Sequence, residues 1–194
     1  MGHQQNPLQP HERIIGAAFV AIAIFVNYKV MGRASMILNL GLIVSYLIWA
    51  TAIWLNDPPA VVPLYVLGIA VQCLHFCEEY LTGFQQKFPA FFGYEWSDRS
   101  FVVFNLIWLS LFAFAAFGVM LKSRLAYLIA FFFALVGEIG NGIGHLAVSI
   151  AQRRYFPGLA TAPVVLVVGL AFLSKLMKTT EAQPKQPDSQ PQQA

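Results

Sequence analysis

The sequence predicts an all-α protein, a polytopic membrane helical bundle with about six transmembrane helices. Two observations lead to this fold class. Of the 194 residues, 58% are hydrophobic and only 11% are charged, whereas a soluble domain carries about 25% charged residues. The apolar residues also form long, continuous runs, and barrel strands would instead alternate apolar and polar residues over about ten positions.

Six apolar runs follow one another along the chain, and polar breaks rich in proline or glycine separate them. A helix needs about 20 residues to cross the hydrocarbon core of a bilayer. The first run is short unless flanking residues such as Arg13 and Lys29 extend to the membrane surface. We expect Pro157 to begin the sixth helix, because proline is favoured in the first turn. The runs cover residues 14–28, 34–55, 60–83, 100–121, 125–151 and 156–177.

These runs divide the chain into a polar N-terminal segment (1–12), a transmembrane helical domain (13–178) and a tail (179–194). The tail is rich in glutamine and proline and cannot bury enough apolar surface to fold, so we expect it to be disordered. The first residues carry no secretory signal pattern. We therefore expect an integral, multi-pass protein of a prokaryotic plasma membrane, in contact with lipids.

Nucleic acid is not an expected partner. The formal net charge is only +3, and the lysines and arginines are spread over the breaks without forming a basic stripe.

The third run contains three ionisable residues close together, in the stretch "QCLHFCEEYL" (72–81). An acid at the centre of a membrane helix costs about 2.5–3.5 kcal/mol, so this cluster is expected to have a function. At about 100° per residue, Glu78 lies at about 300° and Glu79 at about 40° from His75, which places all three on one polar stripe.

The fifth run carries a second polar stripe, in "LVGEIGNGIGHLAV" (135–148). From Glu138, Asn141 lies at about 300° and His145 at about 340° around the helix. Both odd-numbered runs cross in the same direction, and both clusters lie in the later part of their runs, so we expect the stripes to face each other. The candidate ligands of a divalent metal are then His75, Glu78, Glu79, Glu138, Asn141 and His145.

The cysteines and glycines of these two runs predict packing rather than chemistry. Cys73 and Cys77 lie opposite His75, and we interpret them as small packing residues rather than as metal ligands or a redox pair. Gly137, Gly140 and Gly144 share one face, on which Gly140 and Gly144 form a GxxxG pair, and we expect this face to make the closest helix contact in the molecule. Gly142 should leave room beside the polar stripe. No strand precedes these glycines, so they do not form a nucleotide-binding loop.

The stretch "RRYFPGLAT" (153–161) follows the fifth run. Arg153 and Arg154 are either interfacial anchors or a guanidinium fork for an anionic head group or a carboxylate. We count them and Tyr155 as candidate catalytic residues, together with Glu78 and Glu138 of the two stripes.

At these residues the sequence resembles the multi-pass membrane proteins named for their HXXEE motif. The resemblance is carried by "HFCEE" (75–79), "NGIGH" (141–145), "RRYFPGLAT" (153–161) and Asn105, and it covers roughly residues 60–170. It implies a membrane protein with a suspected metal or catalytic site at the same residues. It implies no particular reaction, since the family is one of unknown function.

Three functions are compatible with two facing stripes of this kind. The first is a metal-dependent enzyme, a hydrolase or an oxidoreductase, that uses zinc, iron or manganese on a lipid or another small apolar substrate. The second is metal-free acid–base chemistry, such as isomerisation or cyclisation. The third is a transporter or proton pathway, although the two halves of the chain show no inverted repeat. The structural alternatives are an ion pair within the third helix and a polar contact between helices.

Overall fold

The computed structural model describes residues 8–51 and 58–180, and within these ranges the chain is helical, with turns and no strand. The predicted all-α fold class is confirmed. Residues 181–194 of the predicted tail and most of the N-terminal segment lie outside the described residues, and the first two residues of the predicted tail belong to the last helix. The α-helices are α1 (Pro10–Met31), α2 (Met36–Thr51), α3 (Val62–Thr82), α4 (Phe84–Ala90), α5 (Asp98–Met120), α6 (Arg124–Phe132), α7 (Asn141–Gln152) and α8 (Ala162–Thr180).

The helix that corresponds to the fifth apolar run is composite. A π-helical segment, Phe133–Gly140, joins α6 to α7 without a break. Two 3₁₀ turns, Gly32–Ser35 and Pro58–Val61, precede α2 and α3. π-helical turns are rare and occur frequently at functional sites, and this one immediately precedes the "NGIGH" stretch.

The structure corrects the expected start of the last helix. α8 begins at Ala162, not at Pro157, and residues 153–161 form a loop. Arg153 (φ 50°) and Gly158 (φ 89°) both adopt positive φ values in this loop, a backbone conformation that no helix continues through. The loop therefore remains free to fold back over the end of α3.

Three helical stretches are long and apolar enough to cross a membrane: Pro10–Thr51, Asp98–Met120 and Arg124–Gln152. Large apolar side chains also cover the outside of the molecule, with Leu81, Phe114 and Ile150 between 74% and 81% exposed. A soluble monomer rarely exposes apolar patches of this extent, so the outer surface is suited to lipid.

Polar contacts at the two ends of the bundle fix which helix ends lie together. At one end, the Trp49 indole donates to the carbonyl of Arg124 over 2.7 Å, and Arg124 pairs with Glu12 at 3.0 Å. At the other end, the Tyr94 hydroxyl donates to the carbonyl of Val30. The second end, which also holds the C-termini of α3 and α7, is called the site end below.

Between these ends, α3 packs against α5 and α8, and α8 also packs against the π-helical segment and α7. Aromatic rings fill the middle of this contact: the Tyr65 ring lies 5.3 Å from that of Phe133 and 4.7 Å from that of Phe172. α3, α8 and the composite helix thereby form a rigid unit around the polar stripes.

The glycines of the composite helix do not pack as predicted. A Cβ on Gly144 would meet nothing within 4 Å, and one on Gly140 would meet only the carbonyl of Leu135 in its own helix. A Cβ on Gly142 would lie 2.6 Å from the Cβ of Leu166 on α8. A Cβ on Gly137 would lie 2.8 Å from Phe133 of the same composite helix and 3.8 Å from Phe112 of α5. The prediction that this glycine face makes the closest helix contact is therefore wrong. The contact with α8 occupies the face of Gly142 instead.

This difference predicts opposite results for the same substitution two residues apart. Gly142→Leu should overpack the α7–α8 contact and destabilise the protein by about 1–3 kcal/mol. Gly144→Leu should leave the melting temperature unchanged or slightly raised, because leucine also favours helix more than glycine does. Thermal unfolding of both variants in detergent tests this, and equal melting temperatures would contradict it.

Candidate metal centre

The site begins with the buried face of α3. Its buried residues recur every three or four positions, as Tyr65, Gly68, Gln72, His75 and Glu79, which is the spacing of one helix face. His75 is fully buried and Glu79 is 4% exposed. On α7, His145 belongs to the buried face and is 3% exposed. The predicted facing of the two stripes is confirmed, since these three side chains meet.

The three side chains direct one ligand atom each towards a common point. Nε2 of His145 lies 3.1 Å from Oε1 of Glu79, and Nε2 of His75 lies 3.6 Å from the same oxygen. All three atoms lie within 4.8 Å of one another. The imidazole rings meet edge to face, with centroids 4.7 Å apart. Two nitrogens and one oxygen at these separations could bind one metal ion.

The other nitrogen of each imidazole is held by the loop 153–161. Nδ1 of His75 lies 2.7 Å from Oγ1 of Thr161, and Nδ1 of His145 is hydrogen-bonded to the carbonyl of Pro157. A carbonyl oxygen can only accept, so Nδ1 of His145 is the protonated nitrogen. With no second proton on the ring, Nε2 of His145 directs a lone pair at Glu79.

The same tautomer follows for His75. The Thr161 hydroxyl donates to Oε2 of Glu78 over 2.5 Å, so its oxygen accepts the hydrogen bond that Nδ1–H of His75 donates. Nε2 of His75 then carries a lone pair, and it has no hydrogen-bond partner among the described residues. Two lone pairs and a carboxylate oxygen repel each other unless a proton or a metal ion lies between them.

Glu78 and Glu79 are adjacent in sequence but have different partners. Oε1 of Glu78 accepts hydrogen bonds from the Tyr155 hydroxyl (2.5 Å) and the Ala160 amide (2.8 Å). Oε2 accepts from the Thr161 amide (2.8 Å) and hydroxyl. Glu78 thus anchors the loop, and it is not part of the three-residue group.

Tyr155 lies outside the helices, at the rim of the site. Burial and its hydrogen bond to Glu78 raise the pKa of Tyr155, so the phenol remains protonated at neutral pH and continues to donate to the carboxylate. Arg153 and Arg154, the other two candidates in this stretch, are exposed, and Nε of Arg154 donates to the side chain of Gln152. The structure does not place either arginine in the three-residue group.

Glu138 lies on the same side of the composite helix as His145 but seven residues, roughly 10 Å, earlier. It is fully buried between Gly68 of α3 and Gly169 of α8, and neither carboxyl oxygen has a hydrogen-bond partner among the described residues. Asn141 lies between Glu138 and His145 and is half-buried. Glu138 does not belong to the group around Glu79, whereas Asn141 lines the same cleft as Glu79 and His145 and stays a predicted ligand.

The sequence did not identify several residues that hold the histidines. The stretch "RRYFPGLAT" contains Thr161, Pro157 and Gly158, but the sequence analysis assigned candidate roles only to its two arginines and Tyr155. Gly158 is essential to the geometry: a Cβ there would lie 2.5 Å from Nδ1 of His145 and 2.9 Å from Cε1 of His75. The only signal in the sequence was that a glycine in a loop often adopts a positive φ.

A cleft of about 200 Å³ adjoins the three-residue group. Glu79 and His145 belong to its lining, together with Gln72, Asn105 and Asn141, and aromatic side chains form most of the remaining wall. The amide of Asn105 donates to the carbonyl of Phe101 in its own helix (3.0 Å).

Cys73 and Cys77 are exposed on the opposite face of α3, so the prediction that they point away from His75 is confirmed.

Residues 66–172, more than half of the chain, match the family described as "Protein of unknown function with HXXEE motif". The chain therefore belongs to this family. The match includes all three residues of the group and the loop that holds them. No curated protein and no solved structure matches the chain.

The packing of Gly158 gives a direct prediction. Gly158→Ala should destabilise the loop and displace both imidazoles, through backbone strain of about 1–3 kcal/mol and through the clash of the new methyl group. Gly93→Ala is a matched control, because Gly93 also has positive φ (64°) but a Cβ there would meet nothing within 4 Å. Thermal unfolding should show a clearly larger loss for Gly158→Ala. Equal losses would mean that the contact with the histidines contributes nothing.

Proposed function

We propose that this member of the HXXEE family is a metal-dependent enzyme that acts on a lipid or another apolar substrate. One observation carries the proposal: two Nε2 atoms and one carboxylate oxygen converge while both Nδ1 atoms are already hydrogen-bonded. The buried, unpartnered Nε2 of His75 is the feature that a bound cation explains best.

The donor set is typical of catalytic rather than structural metal sites. Structural zinc sites have four protein ligands, whereas catalytic sites retain an open position, and the set of two histidines and one glutamate is found in zinc hydrolases. Two histidines and one carboxylate also form the iron site of many oxygenases. Zinc, iron and manganese therefore remain the candidates. Such an ion would supply Lewis-acid or redox chemistry beside the cleft.

The remaining residues around the group would orient the ligands. Metal-binding histidines usually donate their second ring N–H to a carboxylate, a carbonyl or a water, which fixes the tautomer and the ring orientation. Thr161 accepts this hydrogen bond from His75 and is itself held by Glu78, and the Pro157 carbonyl accepts it from His145. We propose the same supporting role for Tyr155 through its bond to Glu78, and contact with an anionic head group for Arg153 and Arg154.

The energetics also favour a cation at this position. Placing an acid in the middle of a membrane helix costs about 2.5–3.5 kcal/mol, and structural zinc binding contributes about 10–16 kcal/mol in peptides. A metal ion shared by Glu79 and the two histidines would therefore offset the cost of the buried acid. We place the protein in a prokaryotic plasma membrane as a multi-pass protein, consistent with its apolar helices.

A second candidate function is metal-free acid–base chemistry, and one observation favours it. Glu138 is a fully buried carboxyl group without a partner among the described residues. An ionised carboxylate in such surroundings is far more costly than the neutral acid, so Glu138 would be available as a proton donor. Metal content separates the two candidates.

The metal proposal predicts a specific pattern among variants. His75→Ala, Glu79→Ala and His145→Ala should each lose bound transition metal, because each removes one of three ligands. Cys73→Ala and Cys77→Ala, on the exposed face of α3, should retain it. Elemental analysis of the detergent-purified proteins, prepared without chelator, measures this. A wild-type protein that holds no stoichiometric transition metal and gains none on titration would refute the proposal.

The hydrogen bond between Thr161 and His75 predicts a smaller effect. Thr161→Val preserves the shape of the side chain but leaves Nδ1 of His75 without its acceptor, so metal affinity should fall about 10–100-fold. Thr51→Val is the control, since the Thr51 hydroxyl bonds only carbonyls of α2 among the described residues. Competition with a chromophoric chelator measures the affinities. If both variants bind metal like the wild type, the loop does not orient His75.

A further inference from the structure

The cleft beside the metal centre is elongated. Its lining on α5 extends from Phe101 to Phe112, and its lining on the composite helix extends from Phe132 to Val148. Eleven residues of helix correspond to roughly 16 Å. A volume of about 200 Å³ spread over this length describes a narrow channel that suits a single extended chain.

The cleft is amphipathic. At the site end, it touches Glu79 and His145, and Gln72 follows about two turns further along α3. The rest of its wall is formed mainly by apolar residues such as Trp108, Phe112 and Phe132. Ligand sites commonly combine an apolar wall with a few polar groups that fix orientation. The ligand expected here has one polar end and one hydrocarbon end.

Two buried polar atoms of the lining have no hydrogen-bond partner in the described part of the chain. Oε1 of Gln72 and Nε1 of Trp96 lack hydrogen bonds among the described residues, and each residue is 6% exposed. Buried polar atoms are normally paired, so an acceptor and a donor remain for a bound molecule. A hydroxyl, carboxylic acid or amide group offers both complementary functions.

The cleft opens towards the lipid-facing surface. α2 packs mainly against α1, α6 and the π-helical segment, and it has few or no contacts with α7. The lining residues at this gap, Ile37 and Gly144, are exposed, and Leu40, one turn further along α2, is another exposed apolar side chain. A molecule entering through this gap would come from the membrane rather than from water.

We propose that the cleft binds a single-chain lipid amphiphile, which enters between α2 and α7. Its hydrocarbon chain lies between α5 and the composite helix, its polar group reaches the metal centre, and Gln72 and Trp96 offer further polar contacts along the lining. The inference names the substrate class of the enzyme proposed above and rests on that proposal for the reaction, but chain binding itself needs no metal.

Gly144 determines the width of the channel. It lines the cleft, and a Cβ there would meet nothing within 4 Å. A leucine at this position would occupy the path of the chain without displacing a protein atom. The adjacent residue Ile143 is 52% exposed and does not line the cleft, so Ile143→Phe adds comparable bulk on the lipid side only.

Tryptophan fluorescence tests the proposal, because Trp96 and Trp108 both line the cleft. Stearic acid brominated in mid-chain quenches indole emission at short range. In detergent, it should quench the wild-type protein saturably, and unbrominated stearic acid should restore the emission. Gly144→Leu should weaken this saturable quenching roughly tenfold or more, whereas Ile143→Phe should retain it. Metal content is measured on the same samples.

The outcomes separate the two proposals. Metal-bound protein without saturable, competed quenching overturns the chain-binding inference and leaves the metalloenzyme intact. Saturable quenching in a protein that binds no metal overturns the metalloenzyme and leaves a lipid-binding protein. Equal quenching in wild type and Gly144→Leu overturns the location of the chain.

A second variant covers the case in which Gly144→Leu does not fold. Trp108→Phe removes a reporter inside the cleft and should reduce the saturable part of the quenching by a large fraction. Its non-saturable part, which comes from lipid-facing contacts, should stay the same. A saturable amplitude that does not change in Trp108→Phe would also overturn the inference.

Discussion

The four hydrogen bonds accepted by Glu78 are the interaction on which the site depends. They attach the loop 153–161 to the end of α3, and that loop carries both groups that hold the histidines. A charged acceptor makes stronger hydrogen bonds than a neutral one, and three of these donors lie in Ala160 and Thr161. Without this attachment, Thr161 and the Pro157 carbonyl would not reach His75 and His145.

Two adjacent glutamates can serve these different purposes because neighbouring side chains on a helix point about 100° apart. Glu78 turns towards the loop, where backbone amides and hydroxyls satisfy it, and Glu79 turns into the bundle towards the imidazoles. A carboxylate buried without a partner is costly. The pair is therefore stable only when Glu79 also has a counterion, either a metal ion or a proton shared with a histidine.

Two faces of the composite helix have different neighbours: one packs against α8, and the other borders the cleft. Gly142 and Gly169 allow α8 to approach the composite helix closely, and any added Cβ at either position would clash. Gly144, on a different face, borders the cleft and opposes no protein atom. One side of the composite helix thus packs against α8, while the other borders the cleft.

The sequence by itself determined the helical fold, the two polar stripes and their facing, because a period of 3.6 residues fixes which side chains share a helix face. It could not show which of the six candidate ligands lie close enough together to bind one metal ion. Angular position ignores depth, so Glu138 was grouped with His145 although it lies about two turns away. Only the tertiary structure decided that Glu78 anchors a loop, that Thr161 and Pro157 orient the imidazoles, and which glycine faces α8. The contacts of Glu78, Thr161 and Pro157 depend on the path of the loop, which reverses direction at Arg153 and Gly158, where φ is positive. Helical periodicity does not predict the path of a loop.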